Sequence, residues 1–283
     1  MIIRNDNITE ASLGISVTDP NAQAYINRLL SVETISNETA GYINDFFVAL
    51  KSNNLYSKIK LMWPMIGTSK SSLLLEASGN YKVGSFWLDL FYNGNGTTQF
   101  TSNGINSYDE WWALFVSDAE GSAAPGASYQ WRTILPNVDD AHLSVYSRTN
   151  RGQNDGYAFA GTGGGSNNQA ELYLNQNGDL GLHAGFGQVA AAIDDAAFTS
   201  TQGFFVSTRT SSTDMRVFLN GSQVAISEED NSGGTLPDNR ISFLTGDAIE
   251  ACFASVGLGM TPTDAVNYYT IVNDLQTKLG RQN

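Results

Sequence analysis

Apolar and polar residues alternate in short runs through the middle of the chain. In the stretch DMRVFLNGSQVAI (214–226), apolar residues occupy every second position from Met215 to Leu219, which is the period of a β-strand. Asn220 and Gly221 follow, and both residue types tolerate the positive φ that a two-residue type I′ turn requires. The stretch therefore predicts a β-hairpin.

Similar runs recur across the central part of the chain, separated by turn residues such as NGNG, SNG and NQNGD. The other predicted strands are 85–93, 110–118, 128–135, 142–148, 170–175, 180–185, 203–209, 241–244 and 252–257. Many short strands with few helices between them indicate antiparallel sheets packed face to face. We therefore predict a mainly β protein built as an antiparallel β-sandwich.

The N-terminal region has a different pattern. Residues 1–18 are polar and aperiodic, and we expect an extended arm that docks onto other proteins. Asp19-Pro20 predicts the start of a first helix, and a second helix begins near Ser36 and ends at Asn53-Asn54. A short third helix is expected between Leu55 and Met65. The apolar stripes are Ala22, Ile26, Leu29 and Leu30 in the first helix and Ile43, Phe46, Phe47 and Leu50 in the second.

The chain closes with a helix predicted over 261–280. Thr261 is the N-cap, proline follows, and Asp264 stands three residues after the cap. Gly280 is placed to end the helix. The apolar stripe, which must cover part of the sandwich, consists of Ala265, Tyr269, Val272, Leu275 and Leu279.

Composition restricts the partners. The net charge is -13 with 15 Lys and Arg residues in 283, and no basic run exists, so nucleic acid and anionic membrane surfaces are disfavoured. The single cysteine, Cys252, lies in an apolar run, where a buried structural role is favoured over a reactive thiol. A chain without disulfides, and without the apolar core of a signal peptide near its start, is expected to fold in a reducing cytoplasm.

Catalytic and metal-binding patterns are scarce. No strand carries the alternating Glu-x-Asp-x-Glu spacing of concanavalin-like glucanases, and the two histidines, His142 and His183, lack the spacing of a zinc site. The pairs Asp139-Asp140 and Asp194-Asp195 could help to hold Ca²⁺, but solvated turns are favoured because the interleaved spacing is missing. We predict no catalytic residue, no metal site and no cofactor.

Aromatic residues flanked by Asn, Asp and Gly provide the candidates for sugar binding. Sugar sites stack apolar ring faces on aromatic side chains and use amides and carboxylates for the hydroxyls. The alternative, that these aromatics pack in the core, is favoured for strand positions. The candidate glycan-binding residues are Tyr108, Trp111, Asn154, Asp155 and Tyr157.

Three blocks in this order resemble a known family: NETAGYINDFFVALKSNNLYSKIKLMWPMIG (37–67), GFFVSTRTSSTDMRVFLNGSQVAI (203–226) and SVGLGMTPTDAVNYYTIVNDLQTKLG (255–280). Together they resemble bacteriophage virion proteins with a concanavalin A-like lectin/glucanase, or laminin G-like, jelly roll. The helical motif positions are Ile43, Phe46, Leu50, Lys51, Leu55, Lys58 and Ile59. The C-terminal motif positions are Gly257, Gly259, Thr261, Asp264, Ala265 and Tyr269.

The resemblance implies an N-terminal arm (1–18), a helical docking segment (19–67) and a concanavalin-like β-sandwich (68–283). It implies a non-enzymatic structural protein of a phage particle, assembled in the host cytoplasm and exposed on the head, neck, tail or fibre. Expected partners are other virion proteins, bound through the arm and helices, further copies of the chain, and host surface glycans. The alternatives are a carbohydrate-binding receptor-recognition protein and, less favoured, a glucanase-like polysaccharide depolymerase.

Overall fold

The computed structural model describes the chain in several ranges. They are residues 16–79, 82–83, 86–87, 89–92, 99–107, 114–117, 131–150, 158–161, 169–176, 180–194, 200–228, 234–237, 241–243 and 249–282. The helices are α1 (Pro20–Val32), α2 (Asn37–Ser52), α3 (Lys70–Leu73), α4 (Trp131–Ile134) and α5 (Pro262–Lys278). A 3-10 turn spans Tyr56–Lys58.

Seventeen strands are formed by the described residues. They are β1 (Ile59–Trp63), β2 (Lys82–Val83), β3 (Phe86–Trp87), β4 (Asp89–Tyr92), β5 (Gln99–Thr101), β6 (Gly104–Ser107), β7 (Leu114–Ser117), β8 (Ala141–Ser147), β9 (Ala158–Gly161), β10 (Gln169–Gln176), β11 (Leu180–Gly187), β12 (Val189–Asp194), β13 (Gly203–Ser211), β14 (Asp214–Leu219), β15 (Ser222–Ser227), β16 (Ser242–Phe243) and β17 (Ile249–Gly257).

Two large antiparallel sheets contain most of these strands. The eight-stranded sheet has the order β15-β14-β13-β8-β17-β6-β5, with β1 also paired to β17. The seven-stranded sheet has the order β12-β11-β10-β9-β16-β7-β4, and β2 and β3 form a separate pair. The predicted fold class, a mainly antiparallel β-sandwich with N-terminal and C-terminal helices, is confirmed.

Strand alternation divides the buried apolar residues into two clusters. One cluster lies between the sheets and takes Leu143 and Val145 from β8 and Leu172 and Leu174 from β10. The other cluster lies on the opposite face of the eight-stranded sheet, where the neighbouring residue Tyr146 meets the helices. The molecule therefore has three layers, with α1, α2 and α5 covering the outer face of the eight-stranded sheet.

The helix boundaries follow the capping residues that the sequence indicates. The Asp19 carboxylate accepts hydrogen bonds from Asn21 N and Ala22 N at the start of α1, and Ser36 caps α2. Thr261 and Asp264 form a reciprocal capping box at the start of α5. Gly280 follows the helix with a φ of 69°, so the predicted glycine stop is confirmed.

Two local predictions are wrong, and one predicted stripe residue is only partly buried. Residues 55–65 form one 3-10 turn and then β1, because Leu61 and Trp63 fill the core between the sheets while β1 pairs with β17. Residues 131–134, predicted as part of a strand, form α4. In α5 the fully buried tyrosine is Tyr268, whereas Tyr269 lies at the edge of the helix and contacts the hairpin turn at Gly221.

The 215–226 hairpin is confirmed. β14 pairs with β15 through a turn in which Asn220 has a φ of 51° and Gly221 a φ of 76°. The Asn220 side-chain oxygen also accepts a hydrogen bond from Phe204 N on β13, at 2.9 Å. The turn therefore fixes the register of three neighbouring strands.

Candidate functional site: the outer face of the seven-stranded sheet

The two faces that point away from the sandwich core differ in how they are covered. Helices cover the outer face of the eight-stranded sheet. Neither hydrophobic cluster of the described residues extends onto the outer face of the seven-stranded sheet. Polar residues on the outer face of the seven-stranded sheet are therefore candidates for a role other than packing.

Three chemically active side chains lie together on that face. In β10, Ala170, Leu172 and Leu174 point into the core, so the intervening Glu171 and Tyr173 belong to the opposite face. In β11, Leu182 and Ala184 point into the core, which places His183 on the outer face as well. The β10–β11 register puts His183 directly opposite Tyr173. We call Glu171, Tyr173 and His183 the sheet-face cluster.

Hydrogen bonds connect the members of the sheet-face cluster. His183 Nε2 lies 3.1 Å from Glu171 Oε1, and the rings of Tyr173 and His183 are 5.9 Å apart between centroids. Burial, the negative charge of Glu171 and a hydrogen bond with that carboxylate together raise the pKa of the Tyr173 phenol to about 12. The phenol therefore stays protonated at neutral pH.

The cross-strand neighbours of the sheet-face cluster are small residues. Glu171 pairs across the sheet with Gly161 and Gly185, and Tyr173 pairs with Ala158 on its other side. His183 pairs with Ala192. Each cross-strand neighbour of the cluster outside the cluster itself is thus a glycine or an alanine.

The cluster is sheltered without being closed. The side chains of Glu171 and His183 are 6% and 14% exposed, and Tyr173 is partly exposed. His183 Nδ1 is buried and makes no hydrogen bond to any residue that the structure describes. A buried polar atom without a partner is a common feature of binding sites, where a ligand or ordered water satisfies it.

The sheet-face cluster offers hydrogen-bonding groups beside an aromatic ring. A glycosidase needs two carboxylates at a defined separation across the scissile bond. Within the described chain, the Glu171 carboxylate lies in hydrogen-bond contact with His183, and no second carboxylate contacts any of the three residues. A carboxylate, an imidazole and a phenol on one surface can instead accept hydrogen bonds from hydroxyl groups beside an aromatic ring.

A concave feature lies on the helical side of the molecule. It is a cleft of about 260 Å³ where the α1–α2 loop, the loop after β1, the β5–β6 turn and the C-terminal tail meet. Glu33 stabilises one wall by accepting hydrogen bonds from Thr68, Ser69 and Ser72, and these lower its pKa to about 2 although burial alone would raise it. Its lining is hydroxyl-rich and holds no aromatic residue.

Two other side chains with reactive groups, His142 and Cys252, are buried in the structure. His142 is fully buried beneath α5, with Nδ1 2.6 Å from the Leu258 carbonyl and Nε2 3.1 Å from Ser255 Oγ. Burial lowers the pKa of His142 to about 4, against the Leu258 hydrogen bond, which raises it. Cys252 is fully buried, and burial raises the pKa of its thiol to about 11, so the thiolate is disfavoured.

The residues predicted for glycan binding lie outside the described ranges, so that prediction is neither confirmed nor excluded. They are Tyr108, Trp111, Asn154, Asp155 and Tyr157. Within the described ranges, no group of three or more His, Cys, Asp or Glu side chains is arranged to hold a metal ion. The described helices include none with the length and apolar character needed to cross a membrane.

Comparison with known proteins finds structures with a similar fold but identifies no family. No protein-family model and no curated protein matches the chain. The solved structures it resembles include the binding domain of botulinum neurotoxin serotype D/C, with a TM-score of 0.50 and 14% identity over 78% of this chain and 53% of that one.

A second similar structure is that of botulinum neurotoxin type C, whose cell entry depends upon interaction with two ganglioside molecules. Its TM-score is 0.52, its identity 11%, and the match again covers 78% of this chain and 53% of that one. The chain therefore spans about half the length of these structures. At this level of identity the likeness shows a shared β-rich fold.

Proposed function

We propose that this chain is a non-enzymatic carbohydrate-recognition module and that the sheet-face cluster is its sugar site. The observation that carries the proposal is the grouping of Glu171, Tyr173 and His183 on the one large sheet face that no described helix covers. Their cross-strand neighbours outside the cluster are glycines and alanines. The ring of Tyr173 would stack on a sugar, while Glu171 and His183 would accept hydrogen bonds from its hydroxyls.

Two further points support a binding role. The structures similar in fold include a toxin binding domain and a toxin that interacts with gangliosides. That likeness covers only half of each of those chains, so the argument for this chain depends on the sheet-face cluster itself. The absence of a second carboxylate partner for Glu171 among the described residues favours recognition over hydrolysis.

A glycan array probed with the full-length protein tests the proposal. We expect binding to a defined set of glycans, and we expect Tyr173→Ala to abolish it because the stacking surface is lost. Tyr42→Ala is the matched control, because Tyr42 lies on α2 in the helical layer, on the other side of the eight-stranded sheet. Array binding that survives Tyr173→Ala at full strength would refute the sugar site.

We further propose that the module is carried on a phage particle, assembled in the host cytoplasm, with the N-terminal arm as its attachment. The support is the family resemblance of the sequence together with the way the arm joins the helical layer. Asn44 of α2 accepts hydrogen bonds from Thr18 N and Asp19 N, at 2.8 and 3.1 Å, so the end of the arm is held against α2.

Removal of residues 1–15 tests the attachment role without disturbing these contacts. The truncated protein should fold with an unchanged melting temperature and should be missing from purified particles. Quantitative mass spectrometry of particles assembled with the full-length or the truncated chain gives the measurement. Equal occupancy of both forms would contradict the role of the arm.

A further inference from the structure

The cleft of about 260 Å³ on the helical side of the molecule, which we call the loop cleft, is shaped by a strained connection after β1. Met65 is fully buried and has a φ of 51°, a conformation that a bulky residue keeps only where its surroundings enforce it. Gly67 has a φ of 116°, and a Cβ at this position would clash with Ser72 and Glu33. The backbone beside the loop cleft is therefore held in one specific shape.

Two charged side chains fix this connection from either side. The Glu33 carboxylate accepts a hydrogen bond from Thr68 N at 2.9 Å. The buried guanidinium of Arg281 donates hydrogen bonds to the carbonyls of Met65 and Pro64, at 2.6 and 2.9 Å. Because the fold itself engages both charges, the loop cleft is preformed and favours an uncharged ligand.

The remaining lining of the loop cleft combines aliphatic surface with hydroxyl groups. Ile35, Ile66 and Leu279 provide the aliphatic surface. The hydroxyl groups belong to Thr34, Ser36, Thr39, Thr68 and Ser102. A hydroxyl both donates and accepts hydrogen bonds, so it can satisfy the N–H and the C=O of a peptide group.

Two further observations bear on the ligand. The described residues that line the loop cleft include no aromatic ring on which a sugar could stack. Arg281, which lines the loop cleft, has a buried Nε with no hydrogen-bond partner among the described residues, a feature that binding sites share. The lining therefore favours an aliphatic ligand with hydrogen-bonding groups over a sugar.

We propose that the loop cleft binds a short, uncharged peptide segment of a partner protein and that an aliphatic side chain anchors this segment. The cleft is smaller than the roughly 300 Å³ at which sites for drug-sized molecules begin, so it holds one or two residues. The anchoring side chain lies against Ile66 and Leu279, and the peptide groups beside it meet the hydroxyls. The loop cleft is separate from the sheet-face cluster, and this inference does not depend on the proposed carbohydrate function.

Methyl-detected NMR of the full-length protein tests the inference without a variant. The probes are acetyl-Ala-Leu-Ala-amide, the same tripeptide with aspartate or lysine in place of leucine, and glucose. We expect the leucine peptide to shift the methyl signals of Ile35, Ile66 and Leu279 with a dissociation constant on the order of 1 mM, because so small a ligand buries little surface. The charged peptides should bind at least about tenfold more weakly, because they lose the aliphatic contact.

The NMR titration can contradict the inference in several ways. The inference is overturned if the three methyl signals do not move up to the solubility limit of the leucine peptide, or if the shifts are confined to other residues. A charged peptide that binds as tightly as the leucine peptide also overturns it. Stronger shifts of the same methyl signals with glucose would assign the loop cleft to sugars and reject the peptide.

A pair of tryptophan variants tests the location of the peptide. Ser102 is exposed on the β5–β6 turn and lines the loop cleft, so the indole of Ser102→Trp should obstruct the cleft and weaken binding of the leucine peptide at least about tenfold. Asn103→Trp is the matched control, because Asn103 is the next residue of the same turn, is also exposed and does not line the cleft. Equal binding by the two variants would overturn the assignment to the loop cleft.

Discussion

Glu76 shows how a single buried acid can make the stability of this fold depend on pH. Its side chain is fully buried, and Oε1 accepts hydrogen bonds from Met62 N and Ser78 N, at 3.0 and 2.6 Å. Burial raises the pKa of Glu76 to about 7, although those hydrogen bonds and the charge of Arg28 act to lower it. The folded state therefore holds a proton on Glu76 that the unfolded chain releases at a lower pH.

The sign of the pH dependence follows from this difference. Below a pH of about 4.5 the carboxyl is protonated in both states, and above about 7 it is ionised in both, so stability is lost as the pH rises through this window. Glu76→Gln should remove the loss. At pH 8 the free energy of unfolding of the variant should equal or exceed that of the wild type. Between pH 4.5 and pH 8 the variant should gain up to about 3 kcal/mol relative to the wild type.

Urea unfolding of both proteins at several pH values measures the Glu76 effect. Glu38→Gln serves as a control, because Glu38 is an exposed residue in the first turn of α2. A wild-type stability that rises between pH 5 and pH 7 by the amount assigned to Glu76, while Glu76→Gln stays flat, would show that the sign is wrong.

At the scale of elements, α5 depends on the capping box at its start. Thr261 Oγ1 accepts a hydrogen bond from Asp264 N, and the Asp264 carboxylate accepts one from Thr261 N and pairs with Lys58 at 2.7 Å. Thr261→Ala removes the cap, and we expect a loss of about 1 kcal/mol in the free energy of unfolding. Thermal and urea unfolding measure it.

Thr270→Ala is the matched control for the cap. Thr270 is exposed in the middle of α5, and its hydroxyl donates only to the Val266 carbonyl one turn earlier. Alanine has the higher helix propensity, so this variant should be neutral or slightly more stable than the wild type. Equal losses from both substitutions would mean that the cap has no special role.

The elements that the sequence predicts well are those whose boundaries depend on local chemistry. Asp19, Ser36 and Thr261 each begin a helix because their side chains satisfy free backbone N–H groups, and that preference is visible without any tertiary contact. The Asn220-Gly221 hairpin is local in the same way. Residues 59–63 are different, because they are buried on both faces of a strand and their short apolar run has no readable period.

The candidate site illustrates a second limit. Alternation in AELYLN places Glu171 and Tyr173 on the polar side of one strand, and His183 was recognisable as a strand residue. Their meeting depends on the pairing of Tyr173 with His183 and on which sheet face the helices leave uncovered. Both depend on contacts between residues that are far apart in the sequence. In the sequence, the only indication of this cluster was a strand that alternates polar and aromatic residues with apolar ones, near other strands rich in glycine.

At the scale of the whole molecule, the helical segment and the sandwich are joined by shared structure. β1 pairs with β17 inside the eight-stranded sheet and contributes Leu61 and Trp63 to the core between the sheets. The buried guanidinium of Arg281, just after α5, donates hydrogen bonds to the carbonyls of Met65 and Pro64, at 2.6 and 2.9 Å. Residues 59–66 are therefore fixed both by pairing with β17 and by the hydrogen bonds from Arg281.

This arrangement bears on the predicted division between a docking segment (19–67) and a sandwich (68–283). A fragment of residues 68–283 would lose β1 and expose the apolar residues that α1 and α2 cover, including Phe253 on β17. Each large buried side chain contributes about 2 kcal/mol, so the loss of several exceeds the stability of a typical domain. We expect the fragment to be insoluble or to lack a cooperative unfolding transition.

A fragment of residues 16–283 is the control, since it keeps every described contact of the helical layer and should unfold at the temperature of the full chain. Near-ultraviolet circular dichroism and calorimetry compare the two fragments, because both report fixed tertiary packing rather than secondary structure alone. A cooperative transition and a native-like aromatic spectrum from 68–283 would establish the sandwich as an independent domain. In that case β1 and the helices would be an attachment added to a complete fold, and the three-layer body would not be the unit that folds.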